Sequence, residues 1–326
     1  MDGCRRRCRG FTLIELLVSL ALAALLLAAT SGLLNNTIGT EDLVAEQNQL
    51  QKDARFAMQR MVSALATTPR LVLPTADKPD TDWRENVREE TVPASAPEGS
   101  STKATAVLAV CPSPSVDLDG DGFPDADNDR DGRIDEDFPG DSSNDSEPGL
   151  QLIDDGGEGY VDEGFFADRD DDERLNASDE DPVNGIDDDG DGLIDEDPGA
   201  DMNADGAPGI ANVDDDGDGV IDEGSASDDD EDGLVDEDWL DTVVFYLQGD
   251  ALIERHAVPW DESGDGSVTG RDFIESVIAE NVTKFRVERL SATPSGLQLV
   301  ELTLEITGPA GQIASITSRT RVGGAQ

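Results

Sequence analysis

The sequence contains few cysteine, histidine and aromatic residues for a chain of 326 residues. Of its three cysteines, Cys4 and Cys8 lie within the first ten residues, so we expect no internal disulfide framework. The single histidine, His256, argues against histidine-based triads and multi-histidine metal sites, because acid–base chemistry near neutral pH usually recruits histidine. No nucleophile–base pair is recognisable either. We therefore expect a protein that is not an enzyme.

Basic residues are also scarce, with 23 lysines and arginines against 74 acidic residues and a net charge of -51. We expect no nucleic-acid partner, because binding phosphate requires a basic face. Residues 117–238 alone hold 49 acidic residues and 4 arginines, so the excess charge belongs to one segment. That segment is too acidic and too poor in apolar side chains to build an ordinary hydrophobic core.

The N-terminus begins with an arginine cluster, which an apolar run follows from Phe11 to about Leu34. As a helix rising 1.5 Å per residue, this run is ~36 Å long, enough for a bilayer core of ~30 Å. The arginines are expected to remain cytoplasmic by the positive-inside rule. A secretory signal also has a basic start and an apolar stretch. However, Glu15 interrupts the run, and a carboxylate is costly in lipid and indicates a function.

The segment Gly10-Phe11-Thr12-Leu13-Ile14-Glu15 resembles the prepilin motif of type IV pilins and of type II secretion pseudopilins. The resemblance implies that a prepilin peptidase cleaves between Gly10 and Phe11, and that the new amino terminus is methylated. It implies that Glu15 pairs with the terminal ammonium of a neighbouring subunit during assembly. The implied partners are other pilin or pseudopilin subunits and the inner-membrane assembly machinery. The implied location is the inner membrane, single-pass, with the C-terminal part in the periplasm, and a pilus or pseudopilus after assembly.

Helical periodicity resumes after residues 35–39 and ends before Pro69, with an apolar stripe at Leu43, Leu50, Ala54, Ala57, Met61 and Leu65. Content of β-branched residues and alternation predict strands over 104–111, 242–255, 277–290, 297–307 and 312–322. We expect the last four to form a meander that the helix covers on one face. The predicted fold class is α+β: a long N-terminal transmembrane and amphipathic helix packed on an antiparallel β-sheet, with an irregular Asp-rich insertion. By the resemblance, this is the pilin fold.

The predicted organisation has six segments. They are a leader peptide over 1–10, a transmembrane helix over 11–34, its amphipathic continuation over 35–68, a linker and first strand over 69–116, the Asp-rich insertion over 117–240 and the C-terminal sheet over 241–326. The insertion therefore lies between strands of one domain.

The insertion contains recurring Asp-x-Asp-x-Asp-Gly units. Calcium takes six to eight oxygen ligands, and a calcium loop supplies them from alternate positions, with glycine at position 6 for a sharp turn. Five units predict calcium ligands at Asp117, Asp119, Asp121, Asp125, Asp127, Asp129, Asp131, Asp135, Asp187, Asp189, Asp191, Asp195, Asp214, Asp216, Asp218, Asp222, Asp228, Asp230, Asp232 and Asp236. Another loop, in the sheet region, places Asp261, Asp265 and Asp272 at positions 1, 5 and 12.

Position 8 distinguishes these units from a merely acidic stretch. It is aliphatic at Ile134, Ile194, Ile221 and Val235, and at Val161 of a degraded copy, and we expect these side chains to be buried. The units resemble thrombospondin type 3 and related calcium-loop arrays. Position 12 lacks the bidentate glutamate of an EF-hand loop, so we expect affinities on the order of 10⁻⁴–10⁻³ M. A disordered acidic spacer without metal is the alternative.

These features predict a minor pilin or pseudopilin subunit that a prepilin peptidase cleaves and that assembles into, or caps, a type IV pilus or a type II secretion pseudopilus. Its insertion would be displayed at the surface and stabilised by calcium. The alternative is a membrane-tethered calcium-binding surface or adhesion protein that does not assemble into a filament. Glu15 distinguishes the two hypotheses, because a membrane anchor that does not assemble does not need a carboxylate at this position.

Overall fold

A computed structural model describes residues 13–74, 86–92, 106–130, 132–134, 139, 141–155, 160–162, 201, 205–208, 211–212, 220–222, 224–229, 234–235, 237–291 and 298–324. For residues 28–42 it describes the backbone alone. The chain divides into two compact units, residues 1–49 and 50–326.

A single helix, α1, runs from Leu13 to Thr67. It is continuous through residues 35–39, where the sequence predicts an interruption. In the first unit, the described side chains from Leu13 to Leu27 are all exposed. Within the described residues, we find no helical segment with the length and apolarity that crossing a membrane requires. The predicted transmembrane helix is therefore not confirmed.

In the second unit, the last part of α1 carries the predicted apolar stripe. Ala54, Ala57, Met61 and Leu65 are fully buried in one cluster with the apolar faces of the strands. Leu43 was expected in this stripe, but it lies in the first unit and is 49% exposed. The helix ends two residues before Pro69, and the Thr68 hydroxyl donates a hydrogen bond to the carbonyl of Cys111 over 2.7 Å.

Nine strands form two antiparallel sheets in the described part of the chain. The strands are β1 (Leu71–Leu73), β2 (Val87–Thr91), β3 (Val107–Val110), β4 (Val243–Gln248), β5 (Ala251–Ala257), β6 (Phe273–Ala279), β7 (Val282–Ser291), β8 (Leu299–Thr307) and β9 (Ile313–Arg321). One sheet has the order β1-β3-β4-β5-β6 and the other the order β2-β7-β8-β9. The α+β class is thus confirmed, whereas the prediction of one sheet was wrong.

Each of two predicted strands is in fact two strands joined by a turn, and the second of these turns explains the additional sheet. The predicted strand over 242–255 turns at Gly249, which has φ +68, and the one over 277–290 turns at Asn281, which has φ 58. Glycine and asparagine adopt this left-handed conformation more readily than other residues, so both positions accommodate tight turns. The second turn separates β6 of one sheet from β7 of the other.

The insertion connects two strands that are direct neighbours. Val110 of β3 pairs with Val243 of β4, so the chain leaves and re-enters the sheet at one place. Its two ends also contact each other, because the backbone N–H of Asn128 donates to Asp238 over 2.8 Å and its side chain donates to Asp241 over 3.1 Å. The two ends of the insertion are therefore held together at Asn128, Asp238 and Asp241, and we call this place the neck of the insertion.

Candidate metal site

The first Asp-rich unit brings three of its carboxylates together. Asp117, Asp119 and Asp125 each place one oxygen within 4.8 Å of the others, and no other such group of three occurs in the described residues. The turn is held by backbone N–H groups: that of Gly120 donates to Asp117 over 2.7 Å, and that of Leu118 donates to Asp125. Carboxylate oxygens arranged in this way suit a hard cation such as Ca²⁺ or Mg²⁺.

Asp121, the fourth predicted ligand of this unit, is engaged elsewhere. Its carboxylate accepts the backbone N–H of Phe123 over 2.9 Å and forms a 2.7 Å ion pair with Arg130. The hydrogen bond from Phe123, and then Arg130, hold the pKa of Asp121 below its usual range. The structure thus separates Asp121 from the other three ligands.

In the first Asp-rich unit, the carboxylate of Asp125 lacks a compensating positive charge. Burial, followed by repulsion from Asp119, Asp117 and Asp121, raises the pKa of Asp125. Its Oδ2 is buried without a hydrogen-bond partner. Leaving a charged oxygen in this state is unfavourable unless a cation or proton compensates it, so the residues fit a metal.

The second Asp-rich unit, which begins at Asp127, follows the first directly in the sequence. Asp127 is almost fully buried, accepts the backbone N–H of Gly132 over 3.1 Å and has an Oδ1 without a partner. Burial and the adjacent carboxylate of Asp129 raise the pKa of Asp127 to about 6. Two carboxylates this close repel each other unless a proton or a metal ion lies between them.

The first two Asp-rich units line a polar cavity together with the neck of the insertion. The cavity has a volume of about 220 Å³ and is lined by Asp119, Asp121, Asp125, Asp127, Trp239 and Val268. Val268 belongs to the predicted loop over 261–272, which connects β5 and β6. Two predicted metal loops and part of the third therefore meet at one end of the five-stranded sheet.

In the loop over 261–272, the carboxylates serve the backbone of the turn. Asp261 accepts the N–H groups of Gly264, Asp265 and Gly266, while Asp265 accepts that of Ser267. Asp272 is fully buried and sits among backbone donors of the loop. Asp261, Asp265 and Asp272 do not converge as the first unit's ligands do.

Replacing Asp272 with alanine is expected to destabilise this loop whether or not metal is present. Its carboxylate accepts the N–H groups of Glu262, Ser263 and Thr269 in partly buried hydrogen bonds, and each such bond contributes about 0.5–1.5 kcal/mol. Thermal unfolding in chelator and in calcium measures the loss. An exposed turn carboxylate, Asp250, is the matched control. A loss seen only in calcium would instead make Asp272 a metal ligand.

Most of the other predicted ligands lie outside the described residues. They are Asp131, Asp135, Asp187, Asp189, Asp191, Asp195, Asp214, Asp216, Asp218, Asp230, Asp232 and Asp236. Asp222 is described and accepts the backbone N–H of Asn212 over 2.7 Å, and Asp228 is buried. The expectation of buried aliphatic residues at position 8 was wrong for Ile221 and Val235, which are 54% and 47% exposed.

A group of buried charges was missed by sequence reasoning. Asp145, Asp154 and Asp155 are buried together with the side chains of Arg88 and Arg255. These residues come from three distant parts of the sequence, so no local spacing brings them to notice. The only trace of this group in the sequence is that the pattern of residues 141–164 recurs sixty positions later.

The N-terminal residues of functional interest are only partly described. Glu15 lies in the first turn of α1, and its carbonyl accepts the hydroxyl of Ser19 over 2.6 Å. Gly10 and Phe11, the predicted cleavage residues, lie outside the described residues. The geometry of the cleavage junction therefore stays a prediction.

Comparison with known proteins identifies this N-terminal segment. Residues 5–31 match the family described as the prokaryotic N-terminal methylation motif. Comparison with curated proteins found no match, and comparison with solved structures found none either. The matched segment contains Gly10, Phe11 and Glu15. It supports a type IV pilin-like protein that prepilin peptidase processes and that a pilin assembly machinery handles.

Proposed function

We propose that this protein is a minor pilin or pseudopilin subunit of a type IV pilus or a type II secretion pseudopilus. The match of residues 5–31 to the methylation motif carries the proposal. The same helix continues into the second unit and buries its apolar stripe among antiparallel strands, as a subunit built on one long helix requires. The proposed role is mechanical, with helix packing along a filament and no catalytic step.

The apolar N-terminal part of α1 has a place in this proposal. Its side chains from Leu13 to Leu27 are exposed in the single chain, so it presents a large apolar surface to its surroundings. Such a surface is unfavourable in water and is expected to be covered by lipid before assembly and by other subunits after it. An inner-membrane location with the C-terminal part in the periplasm follows from this proposal.

The insertion would be the displayed part of the subunit. It leaves the five-stranded sheet at one place, and residues 150–153 pack back against the strands, so the displayed part would be the remainder of the insertion. We propose that Asp117, Asp119 and Asp125, then Asp127 and Asp129, hold calcium there. Bound calcium would compensate the acidic charge of the segment. The other Asp-x-Asp-x-Asp-Gly units would act in the same way, as in thrombospondin type 3-like arrays.

Replacing Gly10 with valine tests the processing step. A branched side chain before the scissile bond is expected to block the peptidase, leaving precursor that retains residues 1–10. Mass spectrometry of the N-terminal peptide distinguishes this precursor from a mature chain that begins with methylated Phe11. Gly3→Val, a change in the leader away from the junction, is the control and should be processed. Normal cleavage of Gly10→Val would contradict the assigned junction.

A further inference from the structure

The second Asp-rich unit carries an arginine where most of the other units carry glycine. Position 4 has a left-handed backbone in the first unit and in the loop over 261–272, at Gly120 with φ 76 and at Gly264 with φ 77. The same position of the second unit is Arg130, with φ 73. In the remaining units it is Gly190, Gly217 and Glu231. A residue with a Cβ is disfavoured in this region, so the turn itself does not explain the arginine.

The side chain of Arg130 reaches back into the first unit. Its Nε donates to Oδ2 of Asp121 over 2.7 Å, and Oδ1 of the same carboxylate accepts the backbone N–H of Phe123 over 2.9 Å. Asp121 is position 5 of the first unit, where a calcium loop places a ligand. Both of its oxygens are thus engaged within the chain.

The main chain of Arg130 contacts the second unit. Its backbone N–H donates a hydrogen bond to Asp127, the first residue of that unit. Arg130 therefore links position 1 of the second unit, through its main chain, with position 5 of the first unit, through its side chain. An arginine at this position joins the two units in a way that a glycine cannot.

The guanidinium lies beside the carboxylates that converge in the first unit. Arg130 lines the cavity of about 220 Å³ that the first two units share. The oxygens of Asp117, Asp119 and Asp125 lie within 4.8 Å of one another, and Asp121 does not belong to that group. The position-5 carboxylate is therefore paired with an arginine, while the three other predicted ligands face one another.

The ion pair between Arg130 and Asp121 is open to water. The side chain of Arg130 is 59% exposed and that of Asp121 is 30% exposed. Ion pairs of this kind contribute little to stability, because water screens both charges. A divalent cation carries twice the charge of a guanidinium and contacts carboxylate oxygens at a shorter distance, so it attracts them more strongly. A cation in the first unit can therefore displace Arg130 from Asp121.

We propose that Arg130 is an internal counter-ion that competes with calcium for Asp121 and so lowers the calcium affinity of the first unit. Without calcium, the guanidinium compensates one carboxylate of the acidic turn. When calcium binds to Asp117, Asp119 and Asp125, Asp121 leaves Arg130 and completes the ligand set. The first unit thus responds only where calcium is concentrated enough to break the ion pair. The inference rests on the proposed calcium role of the first unit and adds its regulation.

The test uses the full processed chain in detergent, with calcium as the probe. Hydrogen exchange of the peptide over residues 117–125, followed by mass spectrometry as calcium is raised, gives the calcium concentration at half-maximal protection. Arg130→Gly is expected to lower this concentration about 1.5- to 5-fold, the range that an exposed ion pair contributes. Glycine adopts φ 73 without strain, so the turn is retained. Arg130→Lys keeps the positive charge and should remain close to the wild type.

Two further variants separate the ion pair from a general effect of charge. Arg133→Gln removes a positive charge three residues away, and its shift should be smaller than that of Arg130→Gly. In an Asp121→Asn background, where the pair no longer exists, the two arginine variants should shift the calcium concentration equally. Equal shifts of the two variants in the wild-type background would instead overturn the proposal. Arg130→Asn, which also tolerates a left-handed backbone, replaces Arg130→Gly if the glycine variant does not fold.

The same data distinguish this inference from the calcium proposal on which it rests. If calcium protects the wild type and Arg130→Gly at the same concentration, the competition is wrong and the calcium role of the first unit stands. If calcium protects neither chain, both are wrong. Protection of Arg130→Gly alone would support the competition and show that Arg130 keeps the wild-type unit closed to calcium. Amides of β4 and β5 should remain protected in every variant, as the control for folding.

Discussion

Removing calcium from the purified chain is expected to expand residues 117–240 and to open them to proteolysis. Residues 117–238 carry 49 acidic residues against 4 arginines, so without cations the segment repels itself. If loops of this type bind with dissociation constants near 1 mM, then 10 mM calcium stabilises each occupied loop by about 1.4 kcal/mol, or about tenfold. Several loops acting together multiply this effect.

Cleavage by a glutamate-specific serine protease, followed by mass spectrometry, measures the expansion. Fragments ending within the insertion should appear at least about tenfold faster in chelator than in 10 mM calcium, for one occupied loop. Cleavage within β7 and β8 serves as the internal control and should not change. Magnesium at the same concentration tests selectivity, because its smaller octahedral shell suits these loops less well. Equal cleavage with and without calcium would make the insertion a disordered acidic spacer.

Replacing Glu15 with alanine is expected to exclude the subunit from the filament. In the proposed assembly, the carboxylate pairs with the methylated terminal ammonium of a neighbour, and both charges lie in an apolar surrounding. Removing one member of such a pair leaves the other unpaired at a cost of about 3–5 kcal/mol, which lowers incorporation by about two to four orders of magnitude. The chain itself should still be cleaved and retained in the membrane.

Immunoblotting of sheared filaments against the membrane fraction measures incorporation. Glu46→Ala, which removes a carboxylate from the same helix outside the motif, is the matched control and should assemble normally. Incorporation of Glu15→Ala at the wild-type level would contradict the proposed pairing. Absence of the wild type itself from filaments would favour a membrane-tethered calcium-binding surface protein.

Local sequence patterns were sufficient for the end of α1, for its buried face and for the turn of the first Asp-rich unit. The end of α1 follows from Pro69, and its buried face follows from the spacing of Ala54, Ala57, Met61 and Leu65. The turn over residues 117–125 also follows locally, because short aspartate side chains accept N–H groups two or three residues further on and glycine permits positive φ. In each of these cases, the interactions that decide the conformation lie within a few residues.

The number of sheets did not follow from local patterns. Within 242–255 and 277–290, only two residues, Gly249-Asp250 and Glu280-Asn281, interrupt the strand-forming residues, so each pair of strands appeared as one strand. Pairing across distant segments divided the strands into two sheets, as in the register of Val87 with Glu288. Such pairing depends on which apolar faces α1 can cover together, and this is a property of the assembled core.

The individual acidic residues are distinguished only in three dimensions. In the sequence, Asp117, Asp121 and Asp125 are equivalent members of one spacing. In the folded chain, Asp121 forms an ion pair with Arg130, whereas Asp117 lies close to Asp119 and Asp125. Asp145 and Asp155 are buried, as are Arg88 and Arg255. The N-terminal motif can be recognised from the sequence because prepilin peptidase acts on it as a linear segment. A cation site is different, because burial and the distances between carboxylates set its charge balance, and these exist only in the folded chain.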